Sequence, residues 1–338
     1  MKTREGDLIE NKEGIVFDVK GLVHPPDRIV AFPRYFPEKK GERKRAGTAY
    51  GKVYSLSKRH AFLKERHPHY LVHDSVFGEM LCEVPIEDTK MHYNPVEKLQ
   101  QLHASRDLDP VENDALQLAM LLKENAKIPR SAIGLSGSVL VGLHGAGSDI
   151  DPIVYGIENC LKVHSALKGL LKDVNSHVRP YNLRELRTLF DFRSKDTMVS
   201  FENFVRTESR KVVQGKFLQR DYFIRFIKDW DEVTEKYGDI TYKNCGYAKI
   251  EATVADDSES IFTPCVYRIE NVKLVEGTKV SPIEEIASFR GRFCEQAHTG
   301  EEVVAQGKVE RVTDARKRHE YYRLLLGNKP ADYMIPKL

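Results

Sequence analysis

The residue types best suited to chemistry lie close together between positions 134 and 156. Asp149 and Asp151 flank a single isoleucine and lead into the apolar run that starts at Ile153. If this segment is a strand, its side chains alternate between faces, so both carboxylates project from one face, about 7 Å apart along the backbone. Two ionised carboxylates at this spacing repel each other unless a cation lies between them. Hard oxygen ligands of this kind are typical of sites for Mg²⁺ or Mn²⁺.

A second pair, Gly137-Ser138, precedes the two acids, with residues 139 to 148 between them. A short apolar run comes before it and an amphipathic piece follows, which favours a strand-to-helix turn. Glycine lets a ligand approach the backbone there, and the N–H groups that open the helix can hold a phosphate together with the Ser138 hydroxyl. An isolated Asp-x-Asp is more often a solvated strand end. The Gly-Ser pair ahead of it is what favours a functional site.

Gly-Ser followed at this distance by Asp-x-Asp resembles the signature of the DNA polymerase beta-like nucleotidyltransferase superfamily, and the resemblance is firm over residues 130 to 156. That superfamily includes CCA-adding enzymes, poly(A) polymerases and kanamycin-type nucleotidyltransferases. The whole layout is also similar to archaeal proteins described only as nucleotidyltransferase-domain proteins. The resemblance implies transfer of a nucleoside monophosphate from a triphosphate, ATP or another, to an acceptor hydroxyl. It implies that Asp149 and Asp151 bind magnesium or manganese and that Gly137 and Ser138 hold the triphosphate.

The superfamily usually places a third carboxylate on the next strand, and two residues are candidates. Asp221 opens the strand-like segment 220–227, and Glu251 lies in the alternating segment 247–254. A solvent-facing charge on a strand is an equally good interpretation of either residue. We expect Asp221 to be the third catalytic and metal-binding acid, because it lies on the first convincing strand after a helical stretch.

These residues need a sheet and helices to position them. Asp109-Pro110 is a good helix start, because aspartate accepts backbone N–H bonds at an N-cap and proline fits the first turn. Apolar residues at helical spacing follow it, and a second amphipathic helix is predicted from 157 to 172. Strand, helix, strand, helix is the order that the superfamily's minimal core has. The charged stretch 181–210 is expected to continue it as helix.

The predicted fold class is α+β, with a nucleotidyltransferase mixed sheet and flanking helices at its centre. Residues 1–105 are expected to form a mixed, strand-rich and partly basic domain, and residues 106–245 the catalytic domain. Residues 246–338 are expected to form a β-rich domain, either a small barrel or a sandwich. One N-terminal strand is predicted at 28–33, ended by its proline. The C-terminal strands are predicted at 261–269, 272–276, 286–293 and 303–312.

Composition bounds the interpretation further. The 338 residues include 53 Lys+Arg and 50 Asp+Glu, a net charge of +3, so any nucleic-acid footprint must be local. The five cysteines form no Cys-x-x-Cys pair, which argues against a zinc site and a disulfide framework and fits a reducing cytosol. The first residues lack the apolar run of a signal peptide, and no stretch reaches membrane-spanning length. A cytoplasmic protein is expected, with its oligomeric state open.

The acceptor is left open by the motif. Clustered basic residues with aromatic neighbours are typical of nucleic-acid contacts, and a solvated loop is the equally good alternative. We therefore expect an RNA or DNA acceptor. Two other functions stay open: a non-catalytic nucleic-acid-binding protein on the same fold, and a nucleotidyltransferase that acts on protein or small-molecule hydroxyls. The basic residues, five of seven in their segment, are Lys39, Lys40, Arg43, Lys44 and Arg45.

Overall fold

The structure is a computed structural model and describes residues 1–53, 56–194 and 198–337. These residues form two compact units, and the chain passes between them several times. Unit 1 consists of Met1–Val72, Leu81–Pro180 and Val212–Thr234. Unit 2 consists of His73–Met80, Tyr181–Lys211 and Glu235–Leu338. The mixture of sheets and helices confirms the predicted α+β class.

The N-terminal part of unit 1 is built on a sheet of eight strands in the order β4-β5-β3-β2-β1-β8, with β7 pairing both β3 and β6. A buried apolar face of the sheet, which includes Phe17 and Ile29, packs against Leu63 of α1 (Leu56–Arg66). The strands are β1 (Leu8–Asn11), β2 (Val16–Val19), β3 (Arg28–Pro37), β4 (Arg43–Arg45), β5 (Thr48–Lys52), β6 (Leu71–Asp74), β7 (Glu79–Pro85) and β8 (Thr89–Tyr93).

Strand β3 differs from its prediction, because it continues four residues past Pro33. Proline cannot donate to a sheet ladder, so within a central strand it is tolerated only at an irregularity. The pairing of β2 with β3 is irregular at this place: Val16 lies opposite Tyr35, whereas Phe17 lies opposite Pro33. Two residues on β3 therefore span one on β2, and Arg34 is the extra one.

The central part of unit 1 alternates helices and short strands as the sequence predicted. Asp109 caps the long helix through bonds from Val111 and Glu112 N, and Lys127, in the left-handed region at φ 53°, follows its end. Its buried face is apolar, which is the periodicity seen in the sequence. The elements are α2 (Pro95–Ala104), α3 (Pro110–Ala126), β9 (Ile133–Leu135), α4 (Gly137–Leu140), β10 (Pro152–Tyr155) and α5 (Ile157–Leu170).

Two three-stranded sheets complete unit 1. In the first, β10 is central, antiparallel to β9 on one side and parallel to β14 on the other. The second has the order β11-β12-β13 and is antiparallel. The remaining strands are β11 (Val178–Arg179), β12 (Gln214–Phe217), β13 (Arg220–Phe223) and β14 (Arg225–Ile227).

Unit 2 combines two helices with six strands. The pairings run from β15 through β16, β17 and β19 to β18, and β18 pairs with β15 again, so that they form a closed circuit. The strand-rich C-terminal segment is thus confirmed, although the two strands predicted at 261–269 and 272–276 are one. The elements are α6 (Leu183–Arg193), α7 (Phe201–Glu208), β15 (Ile240–Asp256), β16 (Cys265–Gly277), β17 (Ile283–Ser288), β18 (Glu302–Asp314), β19 (His319–Leu326) and β20 (Tyr333–Pro336).

The two units divide the chain differently from the three consecutive segments predicted. Helices α6 and α7, assigned by sequence to the catalytic domain, group with the C-terminal strands, as does His73–Met80 at the β6–β7 connection. Pairing between strands far apart in the chain decides the units, and composition along the chain does not report such pairing. None of the described helices is both long and apolar enough to cross a membrane.

Candidate active site

The two motif acids lie just before β10. Ile150 between them forms a parallel bridge with Tyr222, and both of these residues are almost completely buried. Because side chains alternate along an extended segment, Asp149 and Asp151 leave on the opposite face from Ile150. Asp149 is exposed and Asp151 is half-buried. The pair therefore presents two carboxylates on one face, the outer one open to solvent.

The Gly-Ser turn packs directly against the second acid. Ser136 N donates to Asp151 O at 2.9 Å, and Ser136 Oγ donates to Gly6 O at 2.6 Å, which holds the turn in place. Gly137 has φ +65°, and a β-carbon added there would collide with the Asp151 carboxylate. Glycine is thus required for two reasons, conformation and space. The Oγ of Ser138, a residue only 4% exposed, has no hydrogen-bond partner among the described residues.

Asp221 lies beside the first motif acid. The bridge between Ile150 and Tyr222 is parallel, so the preceding residues, Asp149 and Asp221, are neighbours across the two strands. Their side chains leave on the same face. The Asp221 side chain is 52% exposed and forms an ion pair with Lys216, with Nζ 2.9 Å from Oδ1.

The alternative third acid is placed elsewhere. Glu251 lies on β15 in unit 2, where its carboxylate pairs with Lys337 Nζ at 2.9 Å. That contact holds the pKa of Glu251 below its usual value. Across residues 1–53, 56–194 and 198–337, no three His, Cys, Asp or Glu side chains gather closely enough to ligate one metal ion. The sheet thus brings Asp149, Asp151 and Asp221 to one face without converging their carboxylates.

Asp151 is the most electrostatically perturbed acid of the site. Burial, together with repulsion from Asp149, raises its pKa from 3.8 to about 6, while Arg225, Arg34 and Lys52 act in the opposite direction. Perturbed carboxylates of this kind cluster at functional sites. A cation between the two acids would relieve the repulsion that raises this pKa.

Arg225 is the cation that sequence analysis missed at the centre of the site. It lies on β14 opposite Ile153 of β10, in the parallel pair. Its Nη1 lies 3.4 Å from Glu5 Oε1, in the turn before β1, and 3.8 Å from Asp18 Oδ1 on β2, so acids of the N-terminal part of the chain neutralise it. Burial opposes its charge, but Asp18, Glu5 and Asp151 raise the pKa of Arg225 above its usual value. Local sequence carries no signal for this contact, because the partners are distant in the chain.

Comparison with known proteins covers both units. The chain is 34% identical over 335 residues to Uncharacterized protein MJ1086 of Methanocaldococcus jannaschii. The matched region covers 97% of this chain and 96% of that protein. This chain belongs to the MJ1086 family. No family model matches the chain, and no solved structure matches it. The similarity therefore extends over nearly the whole length of both proteins.

The basic segment of this MJ1086-family chain, residues 39–45, contains two half-buried arginines and three exposed lysines. On β4 the two kinds alternate because side chains of a strand alternate between its faces. Arg43 Nη1 donates to Ser148 Oγ at 3.0 Å, next to Asp149. Arg45 donates to Glu10 Oε2 at 2.6 Å, and its Nη1 lies 3.4 Å from Val141 O, in the loop that follows α4. These two arginines therefore fix the motif loop onto the N-terminal sheet. The exposed members of the segment are Lys39, Lys40 and Lys44.

Proposed function

We propose that this protein is a divalent-metal-dependent nucleotidyltransferase that transfers a nucleoside monophosphate from a triphosphate to an acceptor hydroxyl. The observation that carries the proposal is the placement of two same-face carboxylates against the Gly137-Ser138 turn. The turn needs glycine because of Asp151, and it leaves the Ser138 hydroxyl buried with no hydrogen-bond partner among the residues that the structure describes. An orphaned buried hydroxyl next to paired acids has the chemistry that a metal–triphosphate complex requires.

The donor set fits magnesium or manganese. Asp149 and Asp151 offer hard oxygen ligands on one face, and Asp221 stands beside Asp149 as the third ligand once its carboxylate leaves Lys216. A divalent cation held there supplies a lower pKa for the attacking hydroxyl and charge stabilisation for the leaving oxygens. We assign Asp149, Asp151 and Asp221 as the catalytic and metal-binding residues.

The nucleotide would lie over the Gly-Ser turn. Gly137 permits close approach of a phosphate to the backbone, and Ser138 Oγ donates to a phosphate oxygen. In the reaction, the acceptor oxygen forms a bond to the α-phosphorus while the bond from that phosphorus to the β-bridging oxygen breaks. Pyrophosphate leaves with the electron pair, and the proton of the acceptor passes to solvent. Binding and orientation by Gly137 and Ser138 keep these atoms in line.

We propose that the acceptor is a nucleic acid, preferably RNA and otherwise DNA. We also propose that the reaction takes place in the cytoplasm. Three exposed lysines lie in the same unit as the acids: Lys44 on β4, and Lys39 and Lys40 in the turn between β3 and β4. Lysines of this kind bind phosphate backbones without reading sequence. We also propose that the closed circuit of strand pairings in unit 2 is a small barrel, one of the two architectures expected from the sequence and one that some oligonucleotide-binding domains use.

One observation favours a second function. Asp221 is paired with Lys216, and the three acids do not converge on one point. A non-catalytic nucleic-acid-binding protein on the same fold would keep this pairing permanently. Metal binding decides between the two, because only the enzyme requires Asp221 to exchange Lys216 for a cation.

The test is to incubate the full chain with Mg²⁺, each labelled nucleoside triphosphate and total RNA, and then to separate the products. Transfer of label is expected with wild type and with Asp191→Asn, a matched control on an exposed part of α6. Asp149→Asn should abolish it. Label on protein or on a small molecule would replace the RNA acceptor, and absence of transfer to any acceptor would refute the enzyme.

A further inference from the structure

Arg34 is a half-buried cation with no carboxylate in direct contact in the described part of the chain, although the charges of Asp18 and Asp151 act on it from further away. Among the described residues its guanidinium makes no hydrogen bond or ion pair, whereas its neighbours are paired, Arg225 with Glu5 and Arg45 with Glu10. A guanidinium carries five N–H donors, and partial burial removes some of the water that would satisfy them. The position therefore favours binding of an anion from outside the chain.

The irregular pairing of β2 with β3 determines the direction of the Arg34 side chain. Arg34 is the extra residue of the irregular pairing at which β3 runs past Val16 and Phe17 of β2. Bulges of this kind occur beside active sites, where they re-aim a side chain. Pro33, which cannot donate to the ladder, precedes it. The next residue, Tyr35, packs with Leu140 and Leu143 from the segment between the Gly-Ser turn and the motif acids. This part of β3 therefore lies against the motif, and the charge of Asp151 acts on Arg34.

A second cation accompanies it on the next strand. Lys52 of β5 lies opposite Tyr35 of β3, with its Nζ 5.9 Å from the centre of the Tyr35 ring. Burial, with Arg34 nearby, lowers the pKa of Lys52 to about 8, although Asp149 and Asp151 act to raise it. Two cations thus stand close together beside two carboxylates. This is the charge pattern that a metal-bound polyphosphate complements.

We propose that Arg34 and Lys52, from neighbouring strands of the N-terminal sheet, bind the β- and γ-phosphates of the nucleoside triphosphate. The inference rests on the proposed function for the site of Asp149 and Asp151. It makes the N-terminal sheet part of the nucleotide site, with Ser138 Oγ as the opposite donor. Arg34 and Lys52 then also stabilise the charge that develops on pyrophosphate as it leaves.

The probe is inorganic tripolyphosphate, which carries the same anionic groups without nucleoside or transferable monophosphate. Its affinity is measured by titration calorimetry on the full chain in two settings. The first is wild type with Mg²⁺. The second is the Asp149→Asn/Asp151→Asn background without metal, where the cations act alone. Arg34→Gln and Lys52→Gln are each expected to weaken binding by about 10- to 100-fold in both settings, as expected for loss of charge-assisted bonds.

Controls separate a local effect from unfolding. Lys90→Gln removes an exposed lysine from β8 of the same sheet and should leave the affinity unchanged. Arg34→Lys should recover part of the affinity lost in Arg34→Gln, and the thermal unfolding temperature of every variant shows whether the fold persists. A folded Arg34→Gln protein with wild-type affinity in both settings overturns the inference.

Nucleotide transfer tests the proposed function, whereas tripolyphosphate affinity tests the roles of Arg34 and Lys52. Nucleotide transfer by wild type, with tripolyphosphate affinity independent of Arg34 and Lys52, leaves the enzyme in place and overturns only this inference. Affinity that depends on both residues, without transfer to any acceptor, refutes the enzyme and supports the two residues as a polyphosphate site.

Discussion

A buried network of charges in unit 2 differs from the candidate site in unit 1. In unit 2, Lys308, Glu310 and Arg323 are nearly fully buried, and each meets an opposite charge. Lys308 Nζ lies 2.7 Å from Glu310 Oε1, and Arg323 Nε donates to Glu310 Oε2 at 2.8 Å. Arg323 Nη1 also lies 3.9 Å from Glu285 Oε1. Here the attraction between partners offsets the cost of removing them from water.

In unit 1, Arg225 and Asp221 of the candidate site have partners of opposite charge, but other polar groups of the site do not. Asp149 and Asp151 share a face and repel each other, while Arg34 and Ser138 Oγ have no hydrogen-bond partner in the described part of the chain. Such an arrangement costs stability until a ligand completes it. The difference between the units teaches that pairing, more than burial of charge, separates a structural network from a candidate binding site.

The largest expected effect tests whether Asp221 binds the metal ion of the candidate site. Asp221→Ala should lower nucleotide transfer by several orders of magnitude, because it removes a metal ligand beside Asp149. Glu251→Ala, in the other unit, should be mild. Turnover with labelled triphosphate measures both. The reverse ranking would move the role to Glu251, and two mild effects would leave a site with two acids.

Breaking the paired network should cost stability instead of activity. Glu310→Gln leaves the charges of Lys308 and Arg323 buried with fewer partners, so we expect a loss of about 3 kcal/mol in the free energy of unfolding. Asp149→Asn removes a repulsion and should leave the metal-free protein as stable as wild type or more so. Urea unfolding in EDTA compares them. Equal destabilisation by both changes would remove the distinction between the two regions.

The half-buried His24 allows a further test of this comparison through pH. Burial lowers the pKa of His24 from 6.5 to about 4, and its ring donates from Nε2 to Thr3 O and accepts at Nδ1 from Val30 N. Because the folded pKa lies below the unfolded one, stability is complete above pH 6.5 and falls as pH drops toward 4. The loss is up to about 3 kcal/mol. His24→Gln keeps an acceptor for Val30 N without titrating, so its thermal stability should vary less over this range. An identical pH profile would contradict the assignment.

The smallest effect concerns the exposed half of the basic segment. Each phosphate contact contributes a log–log salt slope of about −0.7 to −0.9, so replacing Lys39, Lys40 and Lys44 with serine should flatten the salt dependence of RNA binding by roughly two units. The inward-facing Arg43 and Arg45 should affect protein stability instead. Filter binding over a salt series measures the slope. A wild type without salt-dependent affinity for RNA or DNA would shift the acceptor to protein or a small molecule.

Local signals in the sequence were sufficient for several elements. The α3 helix follows from its Asp109-Pro110 start and apolar spacing, and alternation with glycine breaks indicated the C-terminal strands. Local signals failed where distant pairing decides. Proline at 33 indicated the end of a strand, yet β3 continues because β2 and β5 pair with it on both sides of the irregularity.

The candidate site shows the same limit. The motif pointed to Gly137, Ser138, Asp149 and Asp151 because their spacing is local, and the structure packs Gly137 against Asp151. Arg34, Lys52 and Arg225 carry no motif, and only the sheet pairings bring them to the acids. The basic segment was visible, but its division into inward arginines and outward lysines depends on the alternation of β4 and on partners elsewhere in the chain.

The interleaving of the two units along the chain has a consequence for synthesis on the ribosome. Strand β10, with the motif acids, leaves the ribosome well before its parallel partner β14, because α5, β11, α6 and α7 come between them. The segment His73–Met80 also leaves the ribosome early, long before the C-terminal strands of its unit are synthesised. The nascent chain therefore carries both incomplete units until residue 234 is made, and no single cut in the gene yields either unit alone.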